Sequence, residues 1–263
     1  MRVAEALAAT EQRLAAAGVA TPLVDAEWLV AHVLGVSRTE IRRHDELDAG
    51  TLEPLVARRE RREPLAYVLG EWGFRRLNLK TDGRALVPRP ETETVVERAL
   101  ALIRERREPR VLDVGVGGGA IALAIADEHP GARVTGVDTS PEALALAREN
   151  AGRLGLPVEL RLGGLDAAAD GWDLVVANPP YVHPSEWDML QPEIREWEPR
   201  AAFVGEGVHE ELVRAADTHG LVVEVGDGQA ETVAVAFAEC GYGDIRITPD
   251  VSGRERVVEG RKP

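Results

Sequence analysis

Residues 175–182 read VVANPPYV: a run of small apolar side chains ends in Asn178, Pro179, Pro180 and Tyr181. Paired prolines give no N–H to a sheet ladder and cannot enter a helix interior, so the chain must turn out of regular structure here. An amide and an aromatic ring held around so rigid a corner suit the task of gripping a planar nitrogen group. The side-chain oxygen of Asn178 and the carbonyl of Pro179 are two acceptors, enough to take both protons of an NH2 group and aim its lone pair. Tyr181 would stack on the planar group. Amide nitrogen is a poor nucleophile because its lone pair is delocalised, so alignment and electrostatics would carry a reaction there.

A second constellation lies upstream. Residues 111–126, VLDVGVGGGAIALAIA, read as a strand, then Gly115, Val116, Gly117, Gly118 and Gly119, then a helix. Glycines there permit a tight turn and close approach of a ligand, and a helix N-terminus adds amide donors. Asp138 ends the next strand, near the ~20-residue offset at which a carboxylate grips ribose hydroxyls. An adenosine-bearing ligand is therefore expected. Gly115-x-Gly117-x-x-Ala120 satisfies the dinucleotide fingerprint, which keeps a nicotinamide-dependent dehydrogenase open. A looser glycine pattern led by an acid such as Asp113 suits S-adenosylmethionine as well. The Asn-Pro-Pro-Tyr corner breaks the tie toward a methyl donor, because hydride transfer has no use for it. A non-catalytic adenosine-binding module is the third reading.

These groups need elements to carry them. From residue 110, short β-rich runs (RVLDV, RVTGVD, VELRL, DLVVA, LVVEV) are interspersed with helical segments such as AIALAIADEH and PEALALAREN. That pattern predicts βαβ units and a largely parallel sheet, with ligands at the carboxyl edge of its strands. Ser140 and Pro141 mark the start of one helix. Residues 1 to about 63 read as helices only, with Ala26, Leu29, Val30, Val33 and Leu34 at helical spacing before Gly35. Phe74 to Pro88, with a turn at Asp82-Gly83, predicts a β-hairpin. The expected division is a helical domain over 1–70, a linking hairpin over 71–90 and an α/β domain over 91–263.

Composition narrows the partners. The 263 residues are 44% hydrophobic and 29% charged, ordinary for a chain with a proper core. A net charge of −14 disfavours direct nucleic-acid binding, which draws on a basic surface. The arginines between Arg58 and Arg62 read as a solvated helix face. No run approaches ~18 apolar residues, and Glu5 and Glu11 interrupt the N-terminal apolar pattern, so neither a membrane span nor a signal peptide is expected. One cysteine, Cys240, and six scattered histidines predict no disulfide and no metal site, in a cytoplasmic setting. Trp28, Trp72, Trp172 and Trp197 read as packing, and Trp187 stays undecided. Glu198 and Arg200 either brace a substrate loop or form an ion pair.

The arrangement ANPPY after DVGVGGGAIALA resembles amino-methyltransferases that act on exocyclic or amide nitrogens, and more narrowly the release-factor glutamine N(5)-methyltransferases. The resemblance covers almost the whole chain, through DAEWLVAHVLG, REPLAYVLGEWGF, LVPRPETE, EPRAAFVGEG, VVEVGDGQAETV and RERVVEGRK. It implies a Rossmann-like, doubly wound α/β methyltransferase domain behind a small helical domain that docks the substrate. It also implies methyl transfer from S-adenosylmethionine to the glutamine amide of the Gly-Gly-Gln motif of peptide chain release factors. By the same resemblance Gly115 to Gly119, with Asp113 and Val116, would cradle the methionine portion. Asp138 would hold the ribose, and Gly164 and Leu165 would touch the adenine. Asn178, Pro179, Pro180 and Tyr181 would bind the glutamine amide, with Asn178 also facing the cofactor. Phe74, Arg89 and Pro90 would line the crevice. The chain departs from the family pattern at Ala66, Gly73 and Gly164; the first two, near the expected active-site entrance, leave open another protein glutamine or a small amine as acceptor. An adenine amino group of a nucleic acid is a further alternative.

Overall fold

Residues 1–262 are described by a computed structural model, with ten α-helices and nine β-strands among them. The first part of the chain holds α1 (Val3–Ala16), α2 (Pro22–Leu34), α3 (Ala49–Glu60), α4 (Leu65–Leu69), β1 (Glu71–Phe74), β2 (Leu77–Lys80) and α5 (Glu93–Ile103). Next come β3 (Arg110–Val114), α6 (Ala120–Glu128), β4 (Arg133–Asp138), α7 (Pro141–Leu154), β5 (Val158–Leu162) and β6 (Trp172–Ala177). The remainder is α8 (Pro192–Trp197), α9 (Val208–Ala215), β7 (Thr218–Glu224), α10 (Ala230–Glu239), β8 (Gly243–Pro249) and β9 (Glu255–Arg261).

Two units divide the chain: Met1–Glu71 with Gln191–Trp197, and Trp72–Leu190 with Glu198–Pro263. The larger unit is built on a seven-stranded sheet of order β5-β4-β3-β6-β7-β9-β8. Its first five strands run parallel, while β9 is antiparallel to both β7 and β8. The five parallel strands are those expected from the sequence, and the β8–β9 hairpin adds an antiparallel edge. Side chains alternate between the two faces as the strand period requires. Val111, Leu174, Val176 and Val222 join α5 and α6 in one core, while Leu112, Val175, Ala177 and Val223 join α9 and α10 in the other. The chain steps from β3 outward to β4 and β5, then returns to place β6 on the other side of β3. That reversal is the point where open α/β sheets bind ligands.

The linking hairpin turns earlier than the sequence predicts. β1 and β2 close around Arg75 and Arg76, and Arg75 takes a left-handed φ of 54°. A non-glycine residue there needs outside support. It comes from the Glu93 carboxylate, which accepts the Arg75 N–H at 2.9 Å, and from Glu128, which pairs with its guanidinium at 2.7 Å. Asp82 instead folds back on Arg84 N–H through Oδ1 at 3.2 Å, a local side-chain turn outside the hairpin.

Arg58, Arg59 and Arg62 are held by internal partners, contrary to the solvated face expected, while Arg61 is exposed. Arg59 Nε donates to Asp25 Oδ2 at 2.7 Å, and its Nη2 lies 2.8 Å from Glu193 Oε1. Arg62 meets Glu193 through two contacts of 2.7 and 2.6 Å. Arg58 binds Glu63 and the carbonyls of Tyr67 and Val68. The side chains of Arg59 and Asp25 are each only 6% exposed. Removing one partner from such a cluster leaves buried charge uncompensated. Arg59→Ala should therefore lower the stability of the chain by about 3–5 kcal/mol, read by denaturant unfolding with far-UV circular dichroism. A loss under about 1 kcal/mol would mean that the cluster contributes as little as an exposed pair.

Asp113, on β3, is buried to 1% exposure, with Oδ2 accepting the Ala122 N–H at 3.0 Å and Oδ1 without a partner. Burial pushes its carboxyl up from 3.8 to about 7; the Ala122 N–H opposes the shift and Asp138 adds to it. The folded chain thus keeps a proton that the unfolded chain releases near 3.8, so this group makes stability fall as pH rises toward 7. In Asp113→Asn that part of the decline should vanish, checked by comparing the slope of melting temperature against pH for the two proteins across that window.

Candidate functional site

The pairing of β3 with β6 sets Val114 opposite Ala177, so Gly115 and Asn178 are each the first residue beyond neighbouring strand ends. Above them lies a cavity of about 370 Å³. Its walls include Gly115 to Gly118, Asp138, Thr139, Ser140, Gly164, Leu165, Asn178, Pro179 and Pro180. Arg89, Thr92, Pro199, Ala201, Ala202 and Val208 also face it, as do Arg84 to Leu86.

The glycine loop is shaped by backbone demands. Gly115 N–H and Val116 N–H both donate to Val137 O at 2.9 Å, tying the loop to β4. Gly115 and Gly117 have φ of 75° and 53°, which a side chain would oppose. Gly136 on β4 leaves room for Val116, whose Cγ2 would lie 2.6 Å from an added Cβ. Asp138 is oriented from two sides. Its Oδ2 accepts the Gly117 N–H and its Oδ1 accepts the Ser140 N–H, each at 2.9 Å. Each carboxylate oxygen has a further lone pair for a ribose hydroxyl. Apolar walls, backbone donors at the start of α6 and this carboxylate together fit an adenosine-bearing sulfonium ligand.

The Asn-Pro-Pro corner is held from behind. Val182 N–H donates to Phe203 O at 2.8 Å, and Gly205 N–H donates to Val182 O at 3.2 Å. Gly205 approaches so closely that an added Cβ would lie 2.4 Å from the Pro180 carbonyl oxygen. Asn178 Nδ2 donates to Thr92 Oγ1 at 3.2 Å, and Thr92 Oγ1 donates to Glu224 Oε2 at 2.5 Å. Burial pushes the Glu224 carboxyl up to about 7, against the pull of Thr92, Arg256 and Tyr181, while Glu91 adds to the rise. Glu198, buried to 6%, accepts the Val87 N–H at 2.9 Å and pairs with Arg89, which lines the cavity. Glu198 thus pairs with Arg89 and not with Arg200, whose guanidinium lies 5.3 Å from the centre of the Trp187 ring.

Five of the expected site residues stand outside the cavity walls. Tyr181 turns its hydroxyl toward Glu224 Oε1 at 3.3 Å and stacks on the His209 ring at 6.3 Å, so it braces the corner instead of covering a ligand. Asp113 supports the start of α6 from below. Gly119 caps that helix at φ 95°, where an added Cβ would strike Leu123 at 2.8 Å. Phe74 is buried in the core at 1% exposure. Pro90 opens the short 3-10 turn Pro90–Thr92 and leaves the wall to its neighbours Arg89 and Thr92. His183 caps its own turn, with Nδ1 2.6 Å from Ser185 Oγ. Sequence reasoning missed Thr92 and Glu224; the one available signal was an acid at the end of the apolar run LVVE.

Comparison with known proteins gives the family. Residues 5–70 match the model of the PrmC N-terminal domain, and residues 97–193 that of the methyltransferase small domain. A release factor glutamine methyltransferase of Geobacter sulfurreducens is 41% identical, with 96% of this chain and 94% of that protein covered. One of Caulobacter vibrioides is 38% identical over 100% of this chain and 97% of the relative. Among solved structures, the hMettl16 catalytic domain aligns at a TM-score of 0.55 and 12% identity, covering 70% of this chain and 74% of that one, a likeness of fold alone. With relatives this similar along its full length, the chain belongs to the release factor glutamine methyltransferases, a family of S-adenosylmethionine-dependent enzymes.

Proposed function

We propose that this chain transfers a methyl group from S-adenosylmethionine to the side-chain amide nitrogen of the glutamine in the Gly-Gly-Gln motif of peptide chain release factors. The observation that carries the reading is Asn178 in the cavity wall beside the glycine loop, its Nδ2 taken by Thr92. Its Oδ1 is then left as an acceptor for a substrate N–H. S-adenosylmethionine, when bound, supplies a methyl carbon activated by the adjacent sulfonium. Gly115 to Gly118 would hold its methionine portion, Asp138 its ribose hydroxyls, and Gly164 and Leu165 the adenine.

The chain's own part is orientation. Asn178 Oδ1 and the Pro179 carbonyl accept the two amide protons of the glutamine, which turns the nitrogen lone pair toward the methyl carbon. As the N–C bond forms, the C–S bond breaks and its electron pair stays on sulfur, giving S-adenosylhomocysteine. The methylated amide nitrogen then releases one proton to water, so no dedicated base is required. Arg89, fixed by Glu198, stands at the same wall to receive the acceptor. Residues 1–70, most of which match the PrmC N-terminal domain model, would dock the protein acceptor. A release factor as partner makes the cytoplasm the setting.

The test is label transfer from S-adenosylmethionine to a release factor with an intact Gly-Gly-Gln motif and to one changed to Gly-Gly-Ala. Label is expected on the intact protein only. Absence of label with cofactor binding retained by calorimetry would move the acceptor to another protein glutamine or a small amine. Asn178→Ala should lower transfer by at least about a hundredfold with cofactor affinity within about threefold, the signature of lost transition-state positioning.

A further inference from the structure

Behind Asn178 lies a buried polar relay that the reaction as described does not use. Thr92 and Glu224 are 4% and 1% exposed, so their hydrogen bonds have no competition from solvent. Thr92 has a single hydroxyl proton. Ionised Glu224 can only accept, and at 2.5 Å it takes that proton. Thr92 Oγ1 is left as an acceptor toward Asn178, 3.2 Å away, and only the NH2 end of that side chain can satisfy it. The reversed amide would set two acceptors face to face, with no proton between them, in a site where an unmet polar group is costly.

Glu224 is held in turn. Its other oxygen accepts from Tyr181 at 3.3 Å, and its backbone carbonyl is 2.8 Å from His209 Nε2. We propose that Thr92 and Glu224 are positioning residues that decide which end of the Asn178 amide faces the cavity, presenting its oxygen to the acceptor nitrogen. This rests on the role of Asn178 proposed above. The polarity of the chain matters because a reversed Asn178 would offer N–H donors to a nitrogen whose own protons need acceptors. The charged and titratable groups acting on Glu224 are Arg256, Glu91 and Tyr181. Measurements therefore belong at about pH 8.5, where the carboxyl is ionised.

The experiment uses the full chain carrying Thr92→Val, which keeps the shape and removes the hydroxyl, with Thr92→Ser as the conservative control. The expected result is a fall in kcat of at least about tenfold in Thr92→Val, with KM for S-adenosylmethionine and release factor within about twofold. Thr92→Ser should recover kcat to within about threefold of the parent. A Thr92→Val kcat within twofold of the parent, or a KM for the cofactor that rises in step with the loss, overturns the proposal.

A second readout does not depend on the acceptor. The side-chain amide signals of Asn178 in a 15N spectrum, assigned by their loss in Asn178→Asp, should show one proton whose exchange quickens at least about tenfold in Thr92→Val. Unchanged exchange overturns the relay even if the enzyme is active. If the parent protein methylates no release factor, the acceptor assignment falls while the exchange measurement still decides the relay.

Discussion

The chemistry of this protein depends on one pairing, that of β3 with β6. Neighbouring parallel strands lie ~4.8 Å apart, so two chains leaving the same sheet edge at the same level are placed side by side without further help. Val114 opposite Ala177 puts a glycine turn and an asparagine corner in that relation. A shift of one residue in β6 would exchange the faces of Val175 and Val176, both fully buried. The register places the site.

Around that pairing stand three fixed carboxylates, Glu198 and Glu224 buried and Asp138 half-buried at the cavity wall. Asp138 is set by backbone N–H groups, Glu198 by Val87 and Arg89, and Glu224 by two hydroxyls. Glu198 and Glu224 draw together segments far apart in the chain: Val87 and Glu198 are separated by 111 residues, Thr92 and Glu224 by 132. Buried polar groups of this kind stabilise little on balance but penalise any arrangement that leaves one unmet. They suit a site whose task is to hold a weak nucleophile at a fixed angle.

The helical unit follows the same logic with charges. Its apolar core comes from α1, α2 and α3, with Ala6, Leu14, Leu29, Val30, Leu52 and Val56 buried. Asp25, Arg59, Arg62 and Glu193 then bring a segment from beyond residue 190 into a unit otherwise made by the first 71 residues. An insertion of α8 in this manner is invisible to any reading that divides a chain at single boundaries.

Local rules sufficed where one residue's chemistry leaves few choices. Alternating strands and helices, the glycines after β3, the acid ending β4 and the paired prolines after β6 each restrict the backbone by sterics or by a missing N–H, so their placement was legible in the sequence. Position along the chain did not reveal what each side chain would touch. Tyr181 looked free to cover a ligand, but His209 and Glu224 hold it. The hairpin turned at Arg75, against its own preference, because Glu93 and Glu128 support it there. Asp113 stands outside the cavity wall and accepts the Ala122 N–H instead. Arg59 and Arg62 found partners 34 and 131 residues away. The five parallel strands, the fold class and the family followed from the residues alone, because periodicity, turn chemistry and motif spacing act over a few residues. The hydrogen-bond partner of Asn178 came from three-dimensional packing, because a buried donor is satisfied by whatever group the packing of distant segments brings into reach, here Thr92 from 86 residues away.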